Sequence, residues 1–187
     1  LVVTVGLAIH AFGVIPLIIK TIVKCSPFSV AKEVFTSLAT GFTTASSAAT
    51  LPILLEDTRK KLKVPNKVAS FVLPLGITIN MDGTALFQSV AAVFIAQIYG
   101  VQLSITSLCL IIIIAILSSI GAAAVPSAGI ITLAMILTAI GVPIEGTAII
   151  LGIDRILDML RTTVNLWGNT SATLVITKWL GEKAYDK

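Results

Sequence analysis

Formal charge is nearly absent from the middle of this chain: between Val68 and Ile144 the only charged side chain is Asp82. Histidine occurs once, at His10, and cysteine twice, at Cys25 and Cys109. Neither cysteine has a second thiol or a histidine at metal-ligand spacing, so a disulfide framework and a zinc site are both excluded, and the two thiols read as packing residues. His10, alone in an apolar helix, reads as facing a helix partner. With charged residues at 12%, hydrophobic residues at 56% and a mean hydropathy of +1.04, the composition lies outside the soluble globular range. An integral membrane protein follows. The chain opens inside an apolar run, Leu1 to Ile19, without the basic start or small-residue cleavage site of a signal peptide, and reads as a piece of a longer protein.

The net charge of +4 is not a nucleic-acid patch, because the basic residues are distributed as a topology signal. Lys20, Lys24 and Lys32 follow the first apolar run, Arg59 to Lys67 cluster in one connection, and Lys178, Lys183 and Lys187 close the chain. The connections 99–104 and 141–146 contain no Lys or Arg. The positive-inside rule puts the three basic regions, and with them the C-terminus, in the cytoplasm.

The spacing predicts an all-α membrane protein of five segments. Residues 1–24 form a transmembrane helix, long enough at 1.5 Å per residue. Residues 27–63 are basic at both ends and are interrupted by Ala45 to Pro52, which predicts a re-entrant hairpin from the cytoplasmic side. Residues 66–99 are too long for one untilted span and are broken at Asn80 to Thr84. Residues 103–141 lack basic ends and break at Gly121 to Gly129, a hairpin from the outer side. Residues 146–180 return as a long helix. Hairpin then spanning helix, twice, with opposite entry sides, is an inverted repeat, and interrupted segments at matching places point to a binding site near the midplane. Broken backbone at that depth must face protein or a wet cavity, since hydrocarbon cannot satisfy it. Glycine and serine clusters that serve only close helix packing are the plainer alternative, disfavoured by three breaks together with intramembrane charge.

On the last helix Asp154, Asp158, Arg161, Thr162, Asn165 and Asn169 fall within roughly 100° of the circumference, one polar stripe. Asp158 and Arg161, three residues apart, could simply neutralise one another. Arg155, at the edge of the stripe, could snorkel or pair with Asp154. Chemically the set describes more than an ion pair: an Arg fork for a carboxylate, an Asp for an ammonium, an Asn amide for a second carboxylate. Half-helix N-termini after Ser46-Ser47 and Pro126 offer N–H groups to an anion. Unwound carbonyls near Gly76, Thr78, Asn80, Ser119 and Ile120 offer hard oxygen ligands to an alkali cation, with Asp82 as compensating charge.

Ser46 to Pro52, Leu73-Pro74-Leu75-Gly76 with Asn80-Met81-Asp82-Gly83-Thr84, Ser118-Ser119-Ile120-Gly121, and Asp154 through Asn165 resemble the signatures of the dicarboxylate/amino acid:cation symporter family, in order and across essentially the whole chain. The resemblance implies the C-terminal part of a mobile transport core whose N-terminal trimerisation scaffold is absent, from a protein that is homotrimeric in full length. It implies an elevator-type symporter in the cell membrane, carrying glutamate or aspartate with sodium or protons and needing no other cofactor, or, alternatively, a C4-dicarboxylate carrier. By the same resemblance Arg161 and Thr84 would hold the substrate's side-chain carboxylate, Asp158 its ammonium, and Asn165, Thr162, Ser46 and Ser47 the region of its α-carboxylate. Ala124, Val125, Pro126 and Ser127 would belong to the gate. Sodium would bind through Asp82 and Asn80, through the backbone of Thr78, Ser119, Ile120 and Ala122, and through Gly76, Asn80, Asn165 and Asn169. Asn169 stands where sodium-coupled members have Asp, which weakens a cation there; Asp158, an acid that dicarboxylate carriers lack, favours the amino acid. Ala45 and Met159 occupy places where some members put an additional Arg.

Among other classes, an intramembrane aspartyl protease would need a Gly-x-Gly-Asp motif and two acids sharing a proton, which Arg161 opposes. An ion channel has no need of a stripe that matches an amino acid group by group.

Overall fold

The computed structural model describes residues 1–120, 126–183 and 185, and among these every regular element is a helix. Helix α1, Val2–Val23, is 22 residues long and apolar enough to cross a bilayer. It contains two π-helical segments, His10–Val14 and Ile19–Val23. The first lies just ahead of Pro16, which has no N–H to give the carbonyl one turn back, so the helix widens there instead of breaking. Lys24 ends the span in the left-handed region, at φ 67°.

Ser26 caps α2, Pro27–Glu33, with Pro27 in its first turn. A kink at Val34 separates it from α3, Phe35–Thr44. Only two residues, Ala45 and Ser46, separate α3 from α4, Ser47–Lys60. Ala45 adopts φ 52° and Ser46 is extended, its hydroxyl accepting from Ala49 N at 3.2 Å. The two helices pack on each other. Pro52 lies inside α4, so the interruption is shorter than the sequence implied.

Helices α5, Asn66–Ile79, and α6, Asp82–Ile98, occupy the second long apolar stretch and are parted only at Asn80 and Met81. Ser104 caps α7, Ile105–Ser119, and α8 is Ala128–Ala139. These two pack on each other and on α6. A 3-10 turn at Ile144–Thr147 leads into α9, Ala148–Trp179, whose 32 residues run about 48 Å.

Helix α9 is the central post, in contact with α1, α3, α4, α5, α6 and α8. From Arg161 to Val175 nearly every residue is buried, polar ones included. Thr170, Thr173 and Thr177 spend their hydroxyls on carbonyls one turn back, at 2.9, 2.7 and 2.7 Å, which makes their burial cheap. The apolar core, including Ile15, Leu54, Leu73, Phe87, Ile111, Leu133 and Leu166, wraps that post. The outer surface is equally apolar: Phe12, Phe28, Phe35, Phe71, Ile105 and Ile131 are each more than two-thirds exposed. A contiguous exterior of this kind needs hydrocarbon or protein against it. Cys25 is buried as expected, whereas Cys109 is exposed on the outer side of α7 and is not a core packing residue.

Candidate functional site

The site is built where α9 meets the break between α5 and α6. Glycine sets the distance: a methyl on Gly83 would lie 2.9 Å from the Arg161 carbonyl oxygen and 3.0 Å from Asn165 Oδ1. With the two backbones this close, Gly83 N donates to Asn165 Oδ1 at 2.8 Å, and Asn165 Nδ2 donates to Thr84 Oγ1 at 3.0 Å. The amide thereby bonds α9 to α6 through both its ends. Gly41 likewise admits Leu166 and Thr162 against α3.

Arg161 is 1% exposed, the bulkiest fully buried side chain. Its Nε donates to Asp158 Oδ1 at 3.0 Å, and Nη2 lies 2.9 Å from that oxygen and 3.0 Å from Asp154 Oδ1. The guanidinium carbon stands 4.1 Å from the centroid of the Phe87 ring, a cation–π contact. Among the described residues neither Nη1 nor Nη2 makes a hydrogen bond, so Nη2 holds the two acids by ion-pair contact and Nη1 faces no acceptor. Asp158 Oδ2 accepts from the backbone N of Ser127 at 2.7 Å, tying α9 to the start of α8. Two carboxylates therefore share one guanidinium, and the neutralising pair expected from the sequence is a triad with a formal charge of −1. Asp154 turns to Arg161, not to Arg155, which is exposed.

A second polar cluster lies further along α9. Asn80 Nδ2 donates to Asn169 Oδ1 at 3.2 Å. Asn169 Oδ1 also packs against Gly76, and Asn169 Nδ2 has no acceptor among the described residues. Asp82 accepts from Gly83 N at 3.0 Å, pairs with His10 Nε2, and faces Gly168, where a methyl would meet Asp82 Oδ2 at 2.9 Å. The helix partner expected for His10 is thus the carboxylate of Asp82.

The remaining candidates are placed less centrally. Ser46 and Ser47 are buried at the α3–α4 junction. Thr78 is exposed with its hydroxyl on Leu75 O at 2.7 Å. Ser119 is buried with its hydroxyl on Ile116 O at 2.8 Å, and Ile120 is 47% exposed in extended backbone. Pro126 is exposed; Ala122, Ala124 and Val125 lie outside the described residues.

Two contributors escaped the sequence reading, Phe87 and Gln88, whereas His10 was expected to face a helix partner and Ser127 to lie in the gate. Gln88 is fully buried, donates to Gly129 O at 3.4 Å and to Thr132 Oγ1, and accepts from Ser118 Oγ at 3.2 Å. One amide thus bonds α6 to both α7 and α8. Its signal was available: a polar amide one turn beyond Thr84 within an apolar run. Phe87 carries no such mark, since its role is that of a ring face.

With the geometry in view, comparison with known proteins decides the family. Residues 1–179 match the model of the sodium:dicarboxylate symporter family. The chain belongs to that family. Among similar proteins, a putative sodium-dependent excitatory amino acid transporter of Caenorhabditis elegans is 47% identical over 176 residues, 94% of this chain and 35% of the relative. Excitatory amino acid transporter 3 of Mus musculus is 44% identical over 173 residues, 92% of this chain and 33% of the relative. Excitatory amino acid transporter 2 of Homo sapiens is 44% identical over 168 residues, 90% of this chain and 29% of the relative. The chain spans about a third of the length of the curated relatives it matches. Family membership and the apolar helices together make this an integral membrane protein of a transporter family.

Proposed function

We propose that this chain is the C-terminal part of the transport core of a secondary symporter that moves glutamate or aspartate together with sodium, protons or both. The observation that carries the reading is the Arg161 triad: a buried guanidinium with a free Nη1, held by Asp154 and Asp158 beside the α5–α6 break. In hydrocarbon such a cluster is expensive to keep, and it offers the groups an acidic amino acid requires. Arg161 would take the side-chain carboxylate, with Thr84 beside it. Asp158 would take the ammonium. Asn165 and Thr162, with the backbone around Ser47, would receive the α-carboxylate, the Ser46 N–H already donating to Thr44 Oγ1 at 3.3 Å. The names of the relatives, excitatory amino acid transporters, agree with this substrate over a C4-dicarboxylate, which has no ammonium for Asp158.

Sodium enters as co-substrate. The carboxylate of Asp82 and the amide oxygens of Asn80, Asn165 and Asn169 are hard oxygen donors of the right kind, with Gly76, Thr78, Ser119, Ile120 and Ala122 supplying carbonyls. Asn169 brings no charge, and its oxygen already accepts from Asn80, so it would hold a cation more weakly than an acid.

In the proposed arrangement 27–63 and 103–141 are re-entrant hairpins from the cytoplasmic and outer sides, and 66–99 and 146–180 are the spanning partners. The short α3–α4 and α7–α8 pairs and the basic termini support it. Movement of this core against an N-terminal scaffold, in a trimer, would give alternating access by an elevator-type displacement. The test is calorimetric binding of aspartate, glutamate and succinate to the full-length protein, with and without sodium. Sodium-dependent binding of the amino acids but not succinate is expected; binding of succinate in preference to aspartate overturns the assignment.

A further inference from the structure

The chain turns back where α9 ends. Gly181 takes φ 69°, its N donates to Lys178 O at 3.0 Å, and Glu182 N donates to Thr177 O at 3.1 Å, the bond pair of a glycine-terminated helix. Past that turn the chain reaches three other elements. Glu182 pairs with Lys67 on α5. Tyr185 N donates to Leu62 O at 3.0 Å, just beyond α4, and Tyr185 OH donates to Glu33 on α2 at 3.5 Å. The Tyr185 ring is 9% exposed and belongs to the apolar core, as does the buried Cys25 after α1. On the near side of the turn Lys178 donates to Val23 O at 2.8 Å. One short segment thus lies across the outer ends of α2 and α4 and ties both to the end of α9.

The helix pair beneath that segment is itself firmly joined. Ser37 Oγ on α3 donates to Asp57 Oδ2 on α4 at 2.6 Å, and Lys61 Nζ lies 2.6 Å from Asp57 Oδ1. Asp57 is buried and Ser37 fully so, so parting α3 from α4 strips a buried carboxylate of its hydroxyl donor, a costly loss. The pair therefore leaves α9 only by pivoting as one piece, and the pivot first breaks the contacts at Glu182 and Tyr185. Those contacts are weaker: an exposed ion pair that contributes little, a long hydroxyl bond, one neutral backbone bond and one buried ring. We infer, on the symporter reading above, that the segment carrying Gly181, Glu182 and Tyr185 is a releasable strap. Seated, it holds the α3–α4 pair against α9; lifted, it lets the pair pivot and opens the core to the cytoplasm.

Cys25 reports whether the strap is seated. Its thiol is buried, and burial pushes it above its ordinary pKa, so alkylation is slow while Tyr185 stays in place. The full-length protein is reconstituted in proteoliposomes and treated with N-ethylmaleimide, and alkylation at Cys25 is followed by peptide mass spectrometry, which keeps other thiols apart. Tyr185→Phe, which retains the ring, is expected to react as slowly as wild type, Tyr185→Leu several-fold faster, and Tyr185→Ala about tenfold faster or more, the factor that losing a buried ring supplies. Melting curves run beside them; if Tyr185→Ala does not fold, Tyr185→Leu carries the comparison. A purely structural clamp stays seated during transport, whereas a strap lifts. Wild-type alkylation at Cys25 is therefore expected to rise several-fold during aspartate exchange in sodium over its rate in choline. Equal alkylation of wild type and the Leu and Ala variants, or no rise during exchange, overturns the inference. A wild type that exchanges no aspartate counts instead against the symporter reading, and the variant series, which needs no substrate, still decides whether Tyr185 holds the strap down.

Discussion

Arg161→Lys is the sharpest test of the substrate assignment because it separates charge from geometry. Lysine keeps a cation between Asp154 and Asp158, so neither buried acid is orphaned. It loses the planar fork, which in the present geometry donates from Nε to Asp158 at 3.0 Å, sets Nη2 in ion-pair contact with the same oxygen at 2.9 Å, and leaves Nη1 for a ligand. A charge-assisted hydrogen bond contributes about 1.5–3 kcal/mol, and each ~1.4 kcal/mol is tenfold in Kd. Loss of one such bond to the ligand therefore weakens aspartate binding roughly 10- to 150-fold, while loss of the Nε bond to Asp158 costs about 1.5–3 kcal/mol of stability. Arg161→Ala acts differently. It leaves two carboxylates unpaired in a site that is 2% and 5% exposed at Asp154 and Asp158, a change that costs about 3–5 kcal/mol of stability, so its binding defect is mixed with a folding defect. Calorimetry of purified full-length Arg161→Lys with aspartate, beside a melting curve, gives both quantities. Wild-type aspartate affinity in this variant would refute the claim that Arg161 holds the substrate.

Two further expectations concern the frame around the site. Gly83→Ala puts a methyl 2.9 Å from the Arg161 carbonyl oxygen and 3.0 Å from Asn165 Oδ1, contacts that force α6 from α9, so aspartate uptake into proteoliposomes is lost; uptake at the wild-type rate contradicts the close approach. Lys178→Met removes the donor to Val23 O, a charged hydrogen bond worth about 1.5–3 kcal/mol that joins the end of α9 to the end of α1, and the melting temperature falls without a change in substrate affinity.

The elements were largely legible because membrane helices advertise themselves by length and by the placement of lysine. Helices α1, α5 with α6, and α9 fall within a few residues of the expected segments 1–24, 66–99 and 146–180, and the first two stretches are long and apolar enough to cross a membrane. The breaks were legible in place but not in extent. Ala45 to Pro52 read as one interruption, yet a single left-handed residue and a serine cap suffice to turn the chain, and Pro52 fits within α4. The stripe on α9 was visible from helical spacing alone, while its partner choices were not. Whether Asp154 turns to Arg155 or Arg161 depends on which faces the other helices cover: Arg155 lies on the outer face and Arg161 on the buried one. The pairing of His10 with Asp82 spans 72 residues and depends on how α1 lies against α6, which periodicity does not encode.

The charge of the triad has a consequence for coupling. Asp154, Asp158 and Arg161 sum to −1, and an acidic amino acid brings a further −1. Two like charges about 5 Å apart repel by roughly 3 kcal/mol at an effective dielectric of ~20. On the proposed function, a site so composed would bind an acidic amino acid well only when cations enter with it, which would give a physical reason for symport in place of simple binding. Asp154 is the group to alter, since Arg161 retains Asp158 when Asp154 becomes Asn, an isosteric change that leaves no charge unpaired. In Asp154→Asn the triad is neutral, so aspartate binding at low sodium becomes tighter by up to about a hundredfold from that ~3 kcal/mol, and affinity depends less steeply on sodium concentration. Calorimetry across a sodium series, at constant ionic strength, measures that dependence; an unchanged slope, with affinity no tighter at low sodium, would show that the negative charge of the triad does not drive coupling.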